Sequence, residues 1–159
     1  PPEVAKHMVE LARIDSNSVV LEPSAGIARI ADEIKVVTPN VDVVERMSNF
    51  RELLALKGHN LVCDDFMQYA PVKLYDAVIA NPPFSDEEAH IKHMYEILKP
   101  GGMLVTICSP HWTFAQDKKA VEFRNWVEEL DGYTQNLPSG TFEMTGVAAK
   151  ILVIEKKAS

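Results

Sequence analysis

Two periodicities alternate along the chain, and that alternation limits the available folds more than any other feature. Short, nearly continuous apolar runs of β character occur at Val19 to Leu21, Val41 to Glu45, Leu61 to Cys63, Tyr75 to Ala80 and Met103 to Cys108. Between them apolar residues recur at helical spacing. Val4, Met8 and Leu11 mark a first helix from Pro2 to about Ala12. Ile27, Ile30, Ala31 and Ile34 mark the next, and Phe50, Leu53 and Leu54 share a face of the third. Gly58 suits the left-handed C′ position that ends it. Ser85-Asp86-Glu87-Glu88 has the spacing of a capping box. It opens a helix carrying Ile91, Met94, Tyr95 and Leu98, which Pro100-Gly101-Gly102 should stop. Asp117 can cap a last helix with Phe123, Trp126, Val127 and Leu130, closed by Gly132. Tyr133 to Lys156 reads as a hairpin whose final strand is Val147 to Ile154. Strands separated by helices predict an α/β, doubly wound sheet. With 159 residues and no repeat or linker, one domain spanning residues 1–159 is expected.

In such sheets ligands bind beyond the carboxyl ends of the strands. The residues to read chemically are therefore Glu22 to Gly26, Glu45-Arg46, Asp64-Asp65-Phe66 and Asn81 to Phe84. Glu22-Pro23-Ser24-Ala25-Gly26 is not a dinucleotide fingerprint, because Ala28 and Ala31 stand where further glycines belong. A carboxylate at Glu22 would repel a pyrophosphate but suits a ligand with an ammonium group. A plain strand-to-helix turn explains Gly26 but not Glu22. Glu45 can accept hydrogen bonds from ribose hydroxyls, or can simply favour the N-terminus of the following helix. Asp64 or Asp65 can meet an adenine amino group while Phe66 covers the ring, or can cap the next turn.

Asn81-Pro82-Pro83-Phe84 is the sharpest signal. Two prolines fix the backbone and remove two N–H donors. The Asn81 side-chain oxygen and the Pro82 carbonyl remain as acceptors beside an aromatic face. An amino group on a conjugated base is a poor nucleophile, since its lone pair is delocalised. Two acceptors gripping its hydrogens favour a pyramidal nitrogen, and Phe84 can stack on a flipped base. A rigid turn alone does not account for Asn and Phe flanking both prolines.

With these loops in place the chain resembles the class I S-adenosylmethionine-dependent methyltransferases. More narrowly, Asn81-Pro82-Pro83-Phe84 resembles the Asp/Asn/Ser-Pro-Pro-Tyr/Phe/Trp motif of the amino-methyltransferases. Pro2 to Ala5 is similar to the helix bordering the methionine end of the cofactor, and Leu21 to Gly26 to the cofactor loop. Leu98-Lys99-Pro100-Gly101-Gly102 is similar to the turn before strand five. Leu137 to Phe142 and Val147 to Glu155 resemble small phage- and mobile-element-borne adenine-specific DNA methyltransferases. The motif order, cofactor loop before catalytic loop, resembles that of gamma-type adenine methyltransferases. Ala28 departs from the pattern, standing where the cofactor loop often has glycine. The resemblance implies a Rossmann-like, mostly parallel seven-stranded sheet of order 3-2-1-4-5-7-6 with helices on both faces. It implies S-adenosyl-L-methionine as cofactor, held by Glu22, Pro23, Ser24, Ala25, Gly26, Glu45, Arg46, Asp64, Asp65, Phe66 and Asn81. Catalysis would fall to Asn81, Pro82, Pro83 and Phe84. In that strand order Cys63 and Cys108 lie about 19 Å apart, at roughly 4.8 Å per strand. Both are expected to be free thiols, because a disulfide needs Cα atoms within about 7 Å.

Charge and composition narrow the partners. A net charge of −7, with no long basic run, argues against tight autonomous binding of duplex DNA. The core is expected to take up the chain, leaving no separate target-recognition domain. Nucleic acid, DNA ahead of RNA, is the expected but weakly held partner, with a protein partner able to supply recognition. The Ser109-to-Lys119 stretch, with Trp112, Phe114, Lys118 and Lys119, can extend the acceptor site or pack as a lid on the core. No apolar run reaches the roughly 20 residues that span a bilayer, and no signal-peptide pattern opens the chain, so a cytoplasmic setting is expected. Neither cysteine stands in metal-type spacing, and His90 and His93 read as polar helix positions, so no metal is expected. The expected activity is methylation of an exocyclic amino group, adenine N6 in DNA first. The alternatives are an RNA adenine or guanine amine, a protein glutamine amide, or a catalytically idle cofactor-binding module.

Overall fold

A computed structural model describes residues 2–26, 28–137 and 149–158. The strands β1 (Val20–Glu22), β2 (Val41–Val44), β3 (Asn60–Cys63), β4 (Tyr75–Ala80), β5 (Leu98–Cys108), β6 (Tyr133–Asn136) and β7 (Lys150–Glu155) form one sheet. Their order is β3-β2-β1-β4-β5-β7-β6, the order expected. The pairs among β1 to β5 are parallel, whereas β7 runs antiparallel to both β5 and β6.

Strand residues alternate between two cores, as the pleat requires. Val20, Val43, Ala77, Ile79, Val105, Ile107, Ile151 and Val153 face one side. There they meet Val4 and Met8 of α1 (Pro2–Leu11), Ile30 and Ile34 of α2 (Arg29–Val37) and Leu54 of α3 (Ser48–Leu56). Leu21, Val44, Val78, Ala80, Leu104, Leu152 and Ile154 face the other side. They meet Ile91 and Met94 of α4 (Glu87–Glu96), Trp112 of α5 (His111–Phe114) and Phe123 and Val127 of α6 (Lys118–Glu129). A sheet covered on both faces explains why its central strands read as unbroken apolar runs.

Local signals are met unevenly. Gly58 takes a φ of 80°. Around it the Gly58 amide donates to Ala55 at 3.0 Å and the His59 amide to Leu54 at 2.9 Å, a Schellman closure. Asp117 caps α6 by accepting from the Ala120 amide at 3.2 Å. At the other end of α6 the left-handed residue is Asp131 (φ 57°), not Gly132. Gly132 is needed for space instead, since a Cβ there would lie 2.8 Å from Val127 Cγ1 and 2.9 Å from Ile154 Cγ1.

Three expectations need correction, and others fall outside the described residues. The capping box before α4 does not form: Asp86 is the N-cap, in a left-handed conformation and without a side-chain cap bond. Pro100-Gly101-Gly102 does not stop α4, which ends at Glu96; these residues lie inside β5, in its irregular first half. On α3, Leu54 is buried while Leu53 and Leu56 are exposed, so the apolar face is narrower than its spacing suggests. Ile27, Pro138 to Phe142 and the Val147 start of the last strand lie outside the described residues.

Cys63 and Cys108 are both free, on β3 and β5, with β2, β1 and β4 between them. Burial, with the nearby Glu87 charge, pushes the Cys108 thiol up to about 12. Only the thiolate reacts with alkylating reagents. At pH 8, therefore, native protein should be alkylated at half-buried Cys63, and Cys108 only after unfolding. Peptide mass mapping of both states checks this; rapid native labelling of Cys108 would contradict the packing.

Candidate active site

The loop after β1 is built around two buried carboxylates. Glu22 is 1% exposed, and its Oε2 accepts from the Ser24 amide at 2.8 Å. Burial in this low-dielectric setting, reinforced by the Glu45 charge and opposed by the Ser24 hydrogen bond, raises its pKa to about 8. Glu45, also buried, accepts from the Gly26 amide at 2.7 Å through Oε1 and from the Met47 amide at 2.8 Å through Oε2. The Ala25 amide donates to the Val44 carbonyl at 3.0 Å. Glu45 and the end of β2 thus hold the 22–26 loop from the side. Gly26 adopts φ 51° and Ala28 φ 73°. The second value is the left-handed conformation that a glycine would take freely, and an alanine pays for it.

Two features of this loop ask for a ligand. The Ser24 hydroxyl is buried with no hydrogen-bond partner among the described residues. Such orphaned groups are uncommon in folded proteins. Glu22 has no cationic partner among the described residues, and burial without one is what raises its pKa. A group bringing an ammonium and hydrogen-bonding atoms would satisfy both. Pro23 and Ala25 are buried beside them, while Arg46 is exposed and contributes its carbonyl to the Arg51 guanidinium.

The loop after β3 is more structural than its sequence suggests. Asp65 Oδ1 accepts from the Met67 amide at 3.1 Å, capping the 3-10 turn Phe66–Gln68. Phe66 is buried, with its ring centroid 4.6 Å from that of His93 and 6.2 Å from that of His90. Those histidines also reach backbone carbonyls, His93 that of Tyr69 and His90 that of Asp86. Asp64 is exposed. Among the described residues no three His, Cys, Asp or Glu side chains gather as a metal site.

The loop after β4 emerges beside the loop after β1, because β1 and β4 are neighbours with Leu21 opposite Val78. Pro82 is buried; Asn81 and Pro83 are exposed, and Phe84 is 37% exposed. No hydrogen bond occupies the Asn81 side chain among the described residues. Asn81 also lines a small cavity of about 80 Å³ with Val4, Ala5 and Met8 of α1 and with Arg29, Ile30 and Ile107. Arg29 carried no distinctive sequence signal. The Ser109-to-Lys119 stretch divides its roles. Trp112 is buried against Phe123, with centroids 4.8 Å apart, whereas Phe114 is 67% exposed.

Comparisons with known proteins bear on the fold that carries these loops. No family model matches the chain. Malonyl-[acyl-carrier protein] O-methyltransferase 2 of Ilyobacter polytropus is 26% identical over 154 residues, 86% of this chain and 57% of that protein. The M protein of the type I restriction enzyme EcoKI superposes with a TM-score of 0.86 at 17% identity, over 99% of this chain and 44% of that one. The N-methyltransferase NodS of Bradyrhizobium japonicum, solved with S-adenosyl-L-homocysteine, gives 0.69 at 13% identity over 98% and 87%. The chain spans about half the length of the curated relative and of the EcoKI protein. Among the described residues no helix is long and apolar enough to cross a membrane. By strand order and superposition, the chain has the fold of the S-adenosylmethionine-dependent methyltransferases.

Proposed function

We propose that the chain transfers a methyl group from S-adenosylmethionine to an exocyclic amino nitrogen, with adenine N6 in DNA as the first acceptor. The observation that carries this reading is the Asn81-Pro82-Pro83-Phe84 segment at the end of β4, exposed except at Pro82, beside a loop whose buried Ser24 hydroxyl and Glu22 side chain lack, among the described residues, a hydrogen-bond partner and a cationic partner respectively. When bound, the cofactor supplies an electrophilic methyl group. Glu22 would face its ammonium, Glu45 its ribose, and Asp65 with Phe66 its adenine, though the last pair is partly committed to capping and to packing on α4. Asn81 and the Pro82 carbonyl accept from the acceptor amine, and Phe84 stacks on the base. These contacts raise the rate only insofar as they strengthen towards the transition state. The curated relative is an O-methyltransferase, but an oxygen acceptor gives Asn81 and the paired prolines no evident task.

DNA stands ahead of RNA because the EcoKI M protein, a restriction-enzyme component, superposes so fully. The net charge of −7 leaves duplex binding weak and salt-sensitive, so a protein partner would supply target recognition. An RNA adenine or guanine amine, a glutamine amide and an idle cofactor-binding module are outcomes of the same test. Calorimetric titration with S-adenosylmethionine, followed by transfer to mixed single-stranded DNA and RNA, separates them. Absence of cofactor binding ends the proposal; binding without transfer to nucleic acid leaves the glutamine amide and the idle module, which a protein acceptor then separates.

Glu22 gives the binding a pH signature. In free protein it is protonated at pH 7, because its pKa is about 8. An ammonium beside it favours the ionised form, so cofactor binding should release a proton and strengthen as pH rises towards 8. Calorimetry in buffers of different ionisation enthalpy measures that proton, and Glu22→Gln corrects for the ligand's own amine. Equal proton release by wild type and Glu22→Gln would remove Glu22 from the site. The folded-state pKa lies above the usual 4.5, so Glu22 favours folding below that range. This contribution is lost as pH rises through about 8.

A further inference from the structure

Glu87 is a buried carboxylate that the proposed chemistry does not use. It is 2% exposed and opens α4 on the same stripe as Ile91 and Met94, which are apolar. An apolar side chain would fill that stripe without the cost of burying a carboxylate. Its carboxylate instead crosses to the loop after β5. Oε2 accepts from the Ser109 amide at 3.0 Å, and Oε1 accepts from the Ser109 hydroxyl at 2.5 Å and from the same amide at 3.3 Å. The Glu87 amide turns the other way and donates to the Phe84 carbonyl at 3.4 Å, closing a turn through left-handed Asp86. Lys119, just inside α6, lies 3.9 Å from Asp86 and 3.7 Å from Glu88, so ion pairs reinforce the same junction.

We propose that Glu87 is a positioning residue: by clamping the loop after β4 to the loop after β5, it fixes the Phe84 ring that receives the acceptor base. The inference rests on the acceptor reading above for its functional part. Among the described residues the Glu87 side chain bonds to Ser109 and its amide to Phe84, and neither bonds to residues 22–26 or 45. Phe66 does pack on His93 of the same helix, but the Glu87 carboxylate itself serves the loop after β5, so its removal should act chiefly on the acceptor side. A glutamine keeps an acceptor for the Ser109 amide and offers the hydroxyl a donor, so it retains the clamp.

The test compares wild type, Glu87→Ala, Glu87→Gln and Ser109→Ala. The probes are S-adenosylhomocysteine and a single-stranded, adenine-containing DNA oligonucleotide at saturating cofactor. In Glu87→Ala the S-adenosylhomocysteine affinity should stay within about two-fold, while the acceptor KM rises about ten-fold or more as the stacking face is misplaced. Amide hydrogen exchange should quicken at Ser109 and across residues 84–88, with α2 and α6 unchanged. Glu87→Gln should restore KM and most of the protection, and Ser109→Ala should fall between. Unchanged KM and exchange in Glu87→Ala would overturn the proposal, as would equal losses of cofactor and acceptor binding. Local exchange that responds in a protein whose wild type methylates no nucleic acid would support the clamp and defeat the acceptor reading, so the two failures are distinguishable.

Discussion

Asn81→Ala should lower turnover by at least about 100-fold, or about 2.7 kcal/mol of activation free energy, while cofactor affinity stays within about two-fold. Asn81 is exposed at the end of β4 and holds no hydrogen bond among the described residues, so its loss leaves the cofactor loop intact. The missing acceptor would grip one hydrogen of the amine, an interaction that strengthens as the nitrogen becomes pyramidal. A contact made mainly in the transition state is lost from kcat rather than from KM. Single-turnover methyl transfer with saturating acceptor isolates that step. An Asn81→Ala enzyme with wild-type turnover would remove Asn81 from the chemistry. An equal loss of cofactor affinity would make it a cofactor ligand instead.

Glu45→Ala should have the second largest effect, on the other side of the site. Loss of a buried, charged hydrogen bond to the ligand alone costs about 1–3 kcal/mol, or roughly 5- to 150-fold in Kd. The upper half of that range is expected, because Glu45 also holds the amides of Gly26 and Met47 at 2.7 and 2.8 Å. Removing it leaves both donors unsatisfied and frees the loop that carries Ser24. Glu45→Gln separates the two roles, since its single carbonyl oxygen can keep one of the amides but carries no charge. Calorimetric Kd values for S-adenosylhomocysteine order the variants: wild type tightest, glutamine intermediate, alanine weakest. Equal affinity in all three would place Glu45 outside the site.

The fold was legible because its signals are local and repeated. Tyr75 to Ala80 is an apolar run too short for a helix of its own, and the stripes of α2, α4 and α6 follow the 3.6 period that a sheet with two covered faces demands. What escaped depended on which distant atom a side chain meets. Ser85 to Glu88 has the spacing of a capping box, yet the helix starts from left-handed Asp86 without a cap bond, and Glu87 reaches instead to Ser109, 22 positions away. The signal was present in weak form, as a charged residue on the buried stripe of Ile91 and Met94. Trp112 and Phe114 look alike in sequence, but one joins the core at 2% exposure and the other remains 67% exposed. Asp42 and Tyr75 are a polar residue and an aromatic in strands. Only the folded sheet reveals that the Tyr75 hydroxyl donates to buried Asp42 at 2.8 Å while Lys73 and Asn60 close the network at its exposed edge. For the candidate site, strand ends located the loops, but not the double anchoring of Glu45 or the packing of Phe66 on His93.

The most direct measurement is the identity of the methylated product. Purified protein is incubated with methyl-labelled S-adenosylmethionine and a mixture of single-stranded DNA and RNA, and the nucleic acid is digested and resolved by mass spectrometry. The expected product is N6-methyldeoxyadenosine, with no label after Asn81→Ala. Label on a ring carbon or an oxygen, or equal labelling by the Asn81→Ala protein, would contradict amino-methyl transfer at Asn81-Pro82-Pro83-Phe84.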